Sequence, residues 1–145
     1  MPLISDRIFL TLWIGGMWIV GYVVVPVLFK MLERQLAGNV AGQLFTIMSY
    51  IGLVCGALLL ASMLYRHGLS NWMQWRVVVL ITMLVIIVIG QFVLQPMMAE
   101  LKAAGLQGDV AKQFGRLHGV SSMLFMINSL AGLALVVFGL SGKEN

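Results

Sequence analysis

Charge is scarce in this sequence. Nine Lys or Arg and five Asp or Glu make up 10% of its 145 residues, while 61% are hydrophobic. A soluble globular domain carries about a quarter charged residues, and a chain this short has too little polar surface to cover so apolar a composition in water. An ordinary soluble fold is therefore excluded. The net charge of +4 comes without any basic run, which excludes nucleic acid as a partner. Attraction to anionic lipid headgroups is enough to account for it. Cys55 is the single cysteine, so no intrachain disulfide can form, and within its apolar run it reads as a small hydrophobe. Ser-His-Asp, Cys-His, paired-carboxylate and phosphate-loop patterns are all missing. No catalytic residue is assigned, and the reading leans away from an enzyme. The apolar spans also lack Asp and Glu, the usual carboxylates of an intramembrane proton relay.

What is present is long apolar sequence. Ile8–Phe29, Val77–Ala99 and Leu117–Gly142 contain no charged residue, and Gln35–Tyr65 holds a loop and a further span. About 20 apolar residues cross a ~30 Å hydrocarbon layer as a helix, and a helix satisfies its own backbone hydrogen bonds, as lipid requires. The expectation is an all-α integral membrane protein, a four-helix transmembrane bundle forming one domain over residues 1–145. The spans are placed at about 8–29, 43–65, 77–99 and 117–140. The first span is too long for a signal-peptide core and lacks a small-residue cleavage site after it, so it is read as retained. Asn39 and Asp109 precede apolar-periodic runs and are expected to cap helices starting near Val40 and Val110. Arg66-His67-Gly68 should end the second helix, and Trp72 and Trp75 mark headgroup level before the third. Arg7, Arg66, Arg76 and Lys143 fall on one side, and Lys30, Arg34, Lys102, Lys112 and Arg116 on the other. So even a division leaves the orientation open.

A shift of 70 residues, from Pro26 to Pro96, lays Pro26–Phe45 over Pro96–Gly115 without a gap. Leu36, Gly38, Asn39, Val40, Ala41 and Gln43 then meet Leu106, Gly108, Asp109, Val110, Ala111 and Gln113. Glycine, proline, glutamine and an Asn/Asp pair are not generic apolar matches. The expectation is an internal repeat: two like-oriented helical hairpins related by an axis along the membrane normal. Each proline should kink its helix. Gly52/Gly56 and Gly115/Gly119 are small-residue pairs of the kind that let helices approach in lipid. They suit packing within the bundle, a homo-oligomer or a larger membrane complex.

Polar residues inside spans usually face protein or a water-filled cavity. The candidates for such a cavity are His118, Ser121 and Ser122 on one face of the last helix, Asn128 deeper in it, and Gln91 one turn before Gln95 and Pro96. The same groups could serve only as interhelical hydrogen bonds. No metal site is assigned. His67 belongs to the opposite side from His118, and Met97, Met98, Met123 and Met126 show no His/Met ligand spacing for Cu(I).

"GGMWIVGYVVVPVLF", "AGQLF" and "FGRLHGVSS" together resemble the transmembrane protein 205-like domain family, whose bacterial members are catalogued as domain of unknown function 4149. The Arg116-x-His118-Gly119-x-Ser121-Ser122 stretch is its more telling part. The resemblance covers nearly the whole chain. It implies a four-span protein of the bacterial inner membrane, with the lipid bilayer as its surroundings, and it implies no established chemistry or cofactor. A more distant similarity of layout to copper-resistance D proteins and membrane protoporphyrinogen oxidases implies haem b or copper as an alternative, with His118 as ligand. The oxidase-like proteins carry a histidine in an early span, and the first span here has none. Two roles thus lead: a packing or partner subunit, and a small-molecule-binding membrane protein.

Overall fold

The computed structural model describes residues 4–67 and 74–139. Among them there is no strand. The elements are α1 (Ile4–Ile19), a π-helical turn (Val20–Val24), α2 (Val25–Met31), α3 (Arg34–His67), α4 (Trp75–Ile89), a second π-helical turn (Gly90–Leu94), α5 (Gln95–Ala103) and α6 (Gly108–Gly139). They join into four continuous apolar helices, Ile4–Met31, Arg34–Arg66, Trp75–Ala103 and Gly108–Phe138. The shortest has 28 residues and is about 42 Å long at 1.5 Å per residue, more than the ~30 Å hydrocarbon layer. The chain is a four-helix membrane bundle. Gly68, Trp72 and Lys143 lie outside the described residues.

The prolines set the fine structure of two spans. Proline has no N–H to give its own turn and its ring crowds the carbonyl four residues back. The backbone widens just before each one. Val25 N–H bonds to the carbonyl of Val20, and Gln95 N–H to that of Gly90, five residues back in each case. Pro26 and Pro96 then fall at the start of α2 and α5. A π turn is the local adjustment by which the helix absorbs the expected kink. Its two occurrences, like the prolines, stand 70 positions apart (20 and 90).

The helix starts differ from the capping expectation. Asn39 caps nothing: α3 begins at Arg34, after a turn at Leu32 and Glu33, and the Glu33 carbonyl accepts from Ala37 N–H. Arg34, Gln35, Leu36 and Ala37 are all good helix formers, so the helix can nucleate before Asn39 is reached. The Asn39 amide oxygen instead accepts from Lys102 Nζ at 3.4 Å, across to the other hairpin. Asp109 lies in the first turn of α6, where negative charge is favoured, and pairs with Lys112 at 3.1 Å. The Gln107 carbonyl accepts from Val110 and Ala111 N–H. That second connection needs left-handed backbone at Gly105 (φ 88°) and Gly108 (φ 53°), a conformation glycine adopts without steric cost.

The helices pack in the cyclic order α1, α3, α4, α6. The core is Leu10, Trp13, Ile14 and Met17 of α1, Cys55 and Leu59 of α3, Leu80, Met83 and Ile87 of α4, and Leu135 of α6. The spacings in α1 and α4 are those of one helix face. This core fills the half of the bundle nearer the chain ends. The hairpins meet chiefly through α1 with α6 and α3 with α4, whereas beyond the π turns α2 packs on α3 and α5 on α6. Arg66 and the buried Asp6 form an ion pair that ties α1 to α3 at the same end.

A polar cavity between the four spans

Where the core gives way toward the hairpin loops, the bundle holds a cavity. Trp13 and Met17 come from the first span, Phe45, Met48 and Ser49 from the second, Ile87 from the third, and Phe125 and Asn128 from the fourth. All four helices therefore contribute to its wall. The space open to the centres of water molecules is about 50 Å³, where one water needs ~10–15 Å³.

The polar anchor of this wall is α6. Asn128, Ser129, Gly132 and Leu135 form its buried stripe. Ser129 is a hydrogen-bonding node. The Trp18 indole N–H donates to the Ser129 carbonyl at 3.2 Å. The Ser129 hydroxyl donates to the Met126 carbonyl at 2.9 Å. Its oxygen is thereby left to accept from the Tyr22 hydroxyl at 2.7 Å. The rings of Trp18, Tyr22, Phe125 and Phe45 continue the contact as a chain, with successive centroids 4.8, 5.9 and 5.1 Å apart. These edge-on and tilted arrangements are favoured by the ring quadrupoles. The chain of rings links the first, fourth and second spans beside the cavity.

Asn128 is bound on one side only. Its residue is 4% exposed. Its amide N–H approaches the Met17 sulfur at 3.9 Å. A thioether can only accept, which fixes the orientation of the amide. Oδ1 then has no hydrogen-bond partner; Gln91 Oε1 and Ser62 Oγ are the other buried side-chain atoms in this state among the described residues. Leaving a buried acceptor unmet costs about 1–3 kcal/mol. Of these three atoms, Asn128 Oδ1 belongs to a residue on the cavity wall.

The sequence-derived candidates separate in space. Asn128 lines the cavity, whereas His118 and Ser122 are exposed on the outside of the bundle and Ser121 and Gln91 are half-buried. The His118 ring stacks on Phe114 with centroids 6.0 Å apart and planes 10° from parallel. Ten residues of α-helix put His118 about 15 Å along the axis from Asn128 and roughly 80° around it. They cannot share a small cavity. No group of three His, Cys, Asp or Glu side chains able to hold a metal occurs among the described residues. Trp13, Met17, Met48 and Ser49 were not among the expected site residues. Their sequence signal is weak, because Trp and Met in an apolar run read as ordinary filling.

A protein-family model described as "Domain of unknown function (DUF4149)" matches residues 8–107. The chain belongs to that family. The match takes in the first three spans and stops where α6 begins, so Asn128 and Ser129 lie beyond it. No curated protein and no solved structure matches the chain.

Proposed function

We propose that this DUF4149 protein is a non-enzymatic, small-molecule-binding membrane protein, and that the cavity at Asn128 is its site. The observation behind the proposal is the free, buried Asn128 carbonyl oxygen on a wall shared by all four helices. Ligand sites in helical membrane bundles are built between helices from a few polar groups in an apolar setting. The bacterial inner membrane is part of the same proposal. Its support is a chain of four apolar helices with almost no mass outside them.

Native mass spectrometry of the detergent-purified protein tests this reading. The expected result is a retained small molecule in the wild type that is lost in Asn128→Leu, with helicity by circular dichroism unchanged. Equal retention by the variant, or a wild type that retains nothing, would count against it.

A second role as a packing or partner subunit rests on a different observation. A Cβ added at Gly115 or Gly119 would meet nothing within 4 Å, so this small-residue face of α6 is free to receive another helix. Single-molecule photobleaching in lipid would test it: a strictly monomeric wild type with no partner removes this role.

A further inference from the structure

Two unpaired groups of opposite kind belong to the cavity wall. Asn128 Oδ1 is an acceptor without a donor. Trp13, only 1% exposed, carries an indole N–H that makes no hydrogen bond within the described residues, in contrast to Trp18, which donates to Ser129. The indole edge of Trp13 is held firmly. A Cβ placed on Gly52 would lie 2.6 Å from Nε1, so the nitrogen sits directly over the backbone of α3. Trp13 and Asn128 do not bond to each other. Something between them would satisfy both.

The rest of the wall narrows the chemistry. The Ser49 hydroxyl already gives its proton to the Phe45 carbonyl at 2.9 Å, so it can only accept. Met17, Phe45, Met48, Ile87 and Phe125 are apolar, and no charged side chain lines the space. A cation or anion entering here would lose its water without a counter-charge, which is strongly unfavourable. The size is limited too. About 50 Å³ is room for roughly four water-sized groups at ~10–15 Å³ each.

We propose that the cavity binds a small neutral molecule of about four heavy atoms that carries both a donor and an acceptor, an amide or an alcohol, bridging Trp13 Nε1–H and Asn128 Oδ1. The inference rests on the cavity being a binding site and adds the class of ligand. Trp13 supplies the donor and stacks the ligand's apolar part against its ring. Asn128 accepts and sets the ligand's direction. The water-excluded wall makes the neutral form the one that is held.

Selective ¹⁵N labelling of the tryptophans gives the test. The Trp13 indole resonance in micelles is assigned by its loss in Trp13→Phe, and the Trp18 resonance, fixed by Ser129, reports that the bundle is intact. The probes are two isosteric pairs, acetamide with acetate and urea with guanidinium, each kept below denaturing concentration. Acetamide and urea should shift the Trp13 resonance saturably, and the charged members should bind about tenfold more weakly or not at all. In Asn128→Leu the Trp13 shift should vanish while the Trp18 resonance stays in place. Asn128→Ala, which leaves the space open, replaces it if the leucine variant does not fold. A response to acetate or guanidinium as strong as to the neutral partners overturns the ligand class but leaves the cavity as a site. A response that never saturates, or that persists without Asn128, overturns the bridging geometry. Silence toward all four probes overturns this inference, and the retained-molecule experiment then decides separately whether the cavity binds anything.

Discussion

The two seams that join the hairpins are built from different chemistry. Between α3 and α4 the contact depends on missing side chains. A Cβ at Gly56 would come within 2.6 Å of Leu84 Cδ2, and one at Gly52 within 2.9 Å of Ile87 Cδ1. The same two glycines also receive the edge of Trp13 from α1. The seam running along the first and fourth spans has glycines as well, with Gly21 against Phe125 and Gly132 against Ile14, but it adds hydrogen bonds from Trp18 and Tyr22 to Ser129. In lipid, apolar burial offers helices little reason to associate, because the tails are as apolar as leucine. Close packing and interhelical hydrogen bonds remain. The apolar seam uses the first alone. The polar seam uses both, and the cavity lies beside it, where one polar group is left over.

That contrast can be broken most directly at Gly52. Gly52→Leu must displace both Trp13 and Ile87, and the expected loss is about 1–3 kcal/mol, as for other overpacked cores. Steric-trap unfolding in bicelles would measure it, and a loss under 0.5 kcal/mol, the ordinary range of surface substitutions, would mean the seam is looser than described. Smaller effects are expected in the polar seam. Ser129→Ala removes the acceptor for Tyr22, at about 0.6 kcal/mol and at most about 1.7 kcal/mol, the range for hydrogen bonds between membrane helices. A double-mutant cycle of Tyr22→Phe with Ser129→Ala should return a coupling of about 0.6 kcal/mol; strict additivity would show that the bond contributes nothing. The smallest change belongs to glycines that touch no neighbour. Gly115→Ala should move stability by no more than about 0.5 kcal/mol in either direction, because its Cβ would meet nothing within 4 Å. If that substitution changed the particle size in photobleaching or native mass spectrometry, the outer face of α6 would join the two seams as a third packing surface.

Much of the architecture was legible from residue order. Charge-free runs long enough to cross a bilayer specify four helices, since hydrogen-bonded helices are what a single apolar segment can form in lipid. The prolines announced local disturbance at two matching places, though not its form. A missing N–H says that the normal turn must change, and neighbouring packing helps choose between a bend and a widened turn. Helix starts were less legible. Asn39 is a plausible cap by type, yet a cap contributes only about 1 kcal/mol, and the turn at Leu32 and Glu33 started the helix five residues earlier, at Arg34.

The site was legible only in its ingredients. Asn128 stood out as a polar residue deep in a span, and so did His118 near the end of one. Sequence records how polar a side chain is and how far along the helix it lies, but not which helix faces it. His118 turned outward and stacked on Phe114, while Asn128 turned toward Met17. Trp13 and Ser49 entered the cavity wall from two other spans.

The sequence alone determined that the chain lives in a membrane, crosses it with four helices and carries proline-marked turns in two of them. These properties depend on composition and local periodicity, which are written in residue order. Only the tertiary structure decided that Gly52 makes room for Trp13, that Ser129 is satisfied, and that Asn128 keeps a free oxygen beside a cavity. Those outcomes depend on which helix faces meet, and side chains far apart in the chain settle that by close packing and by pairing the polar groups they bring.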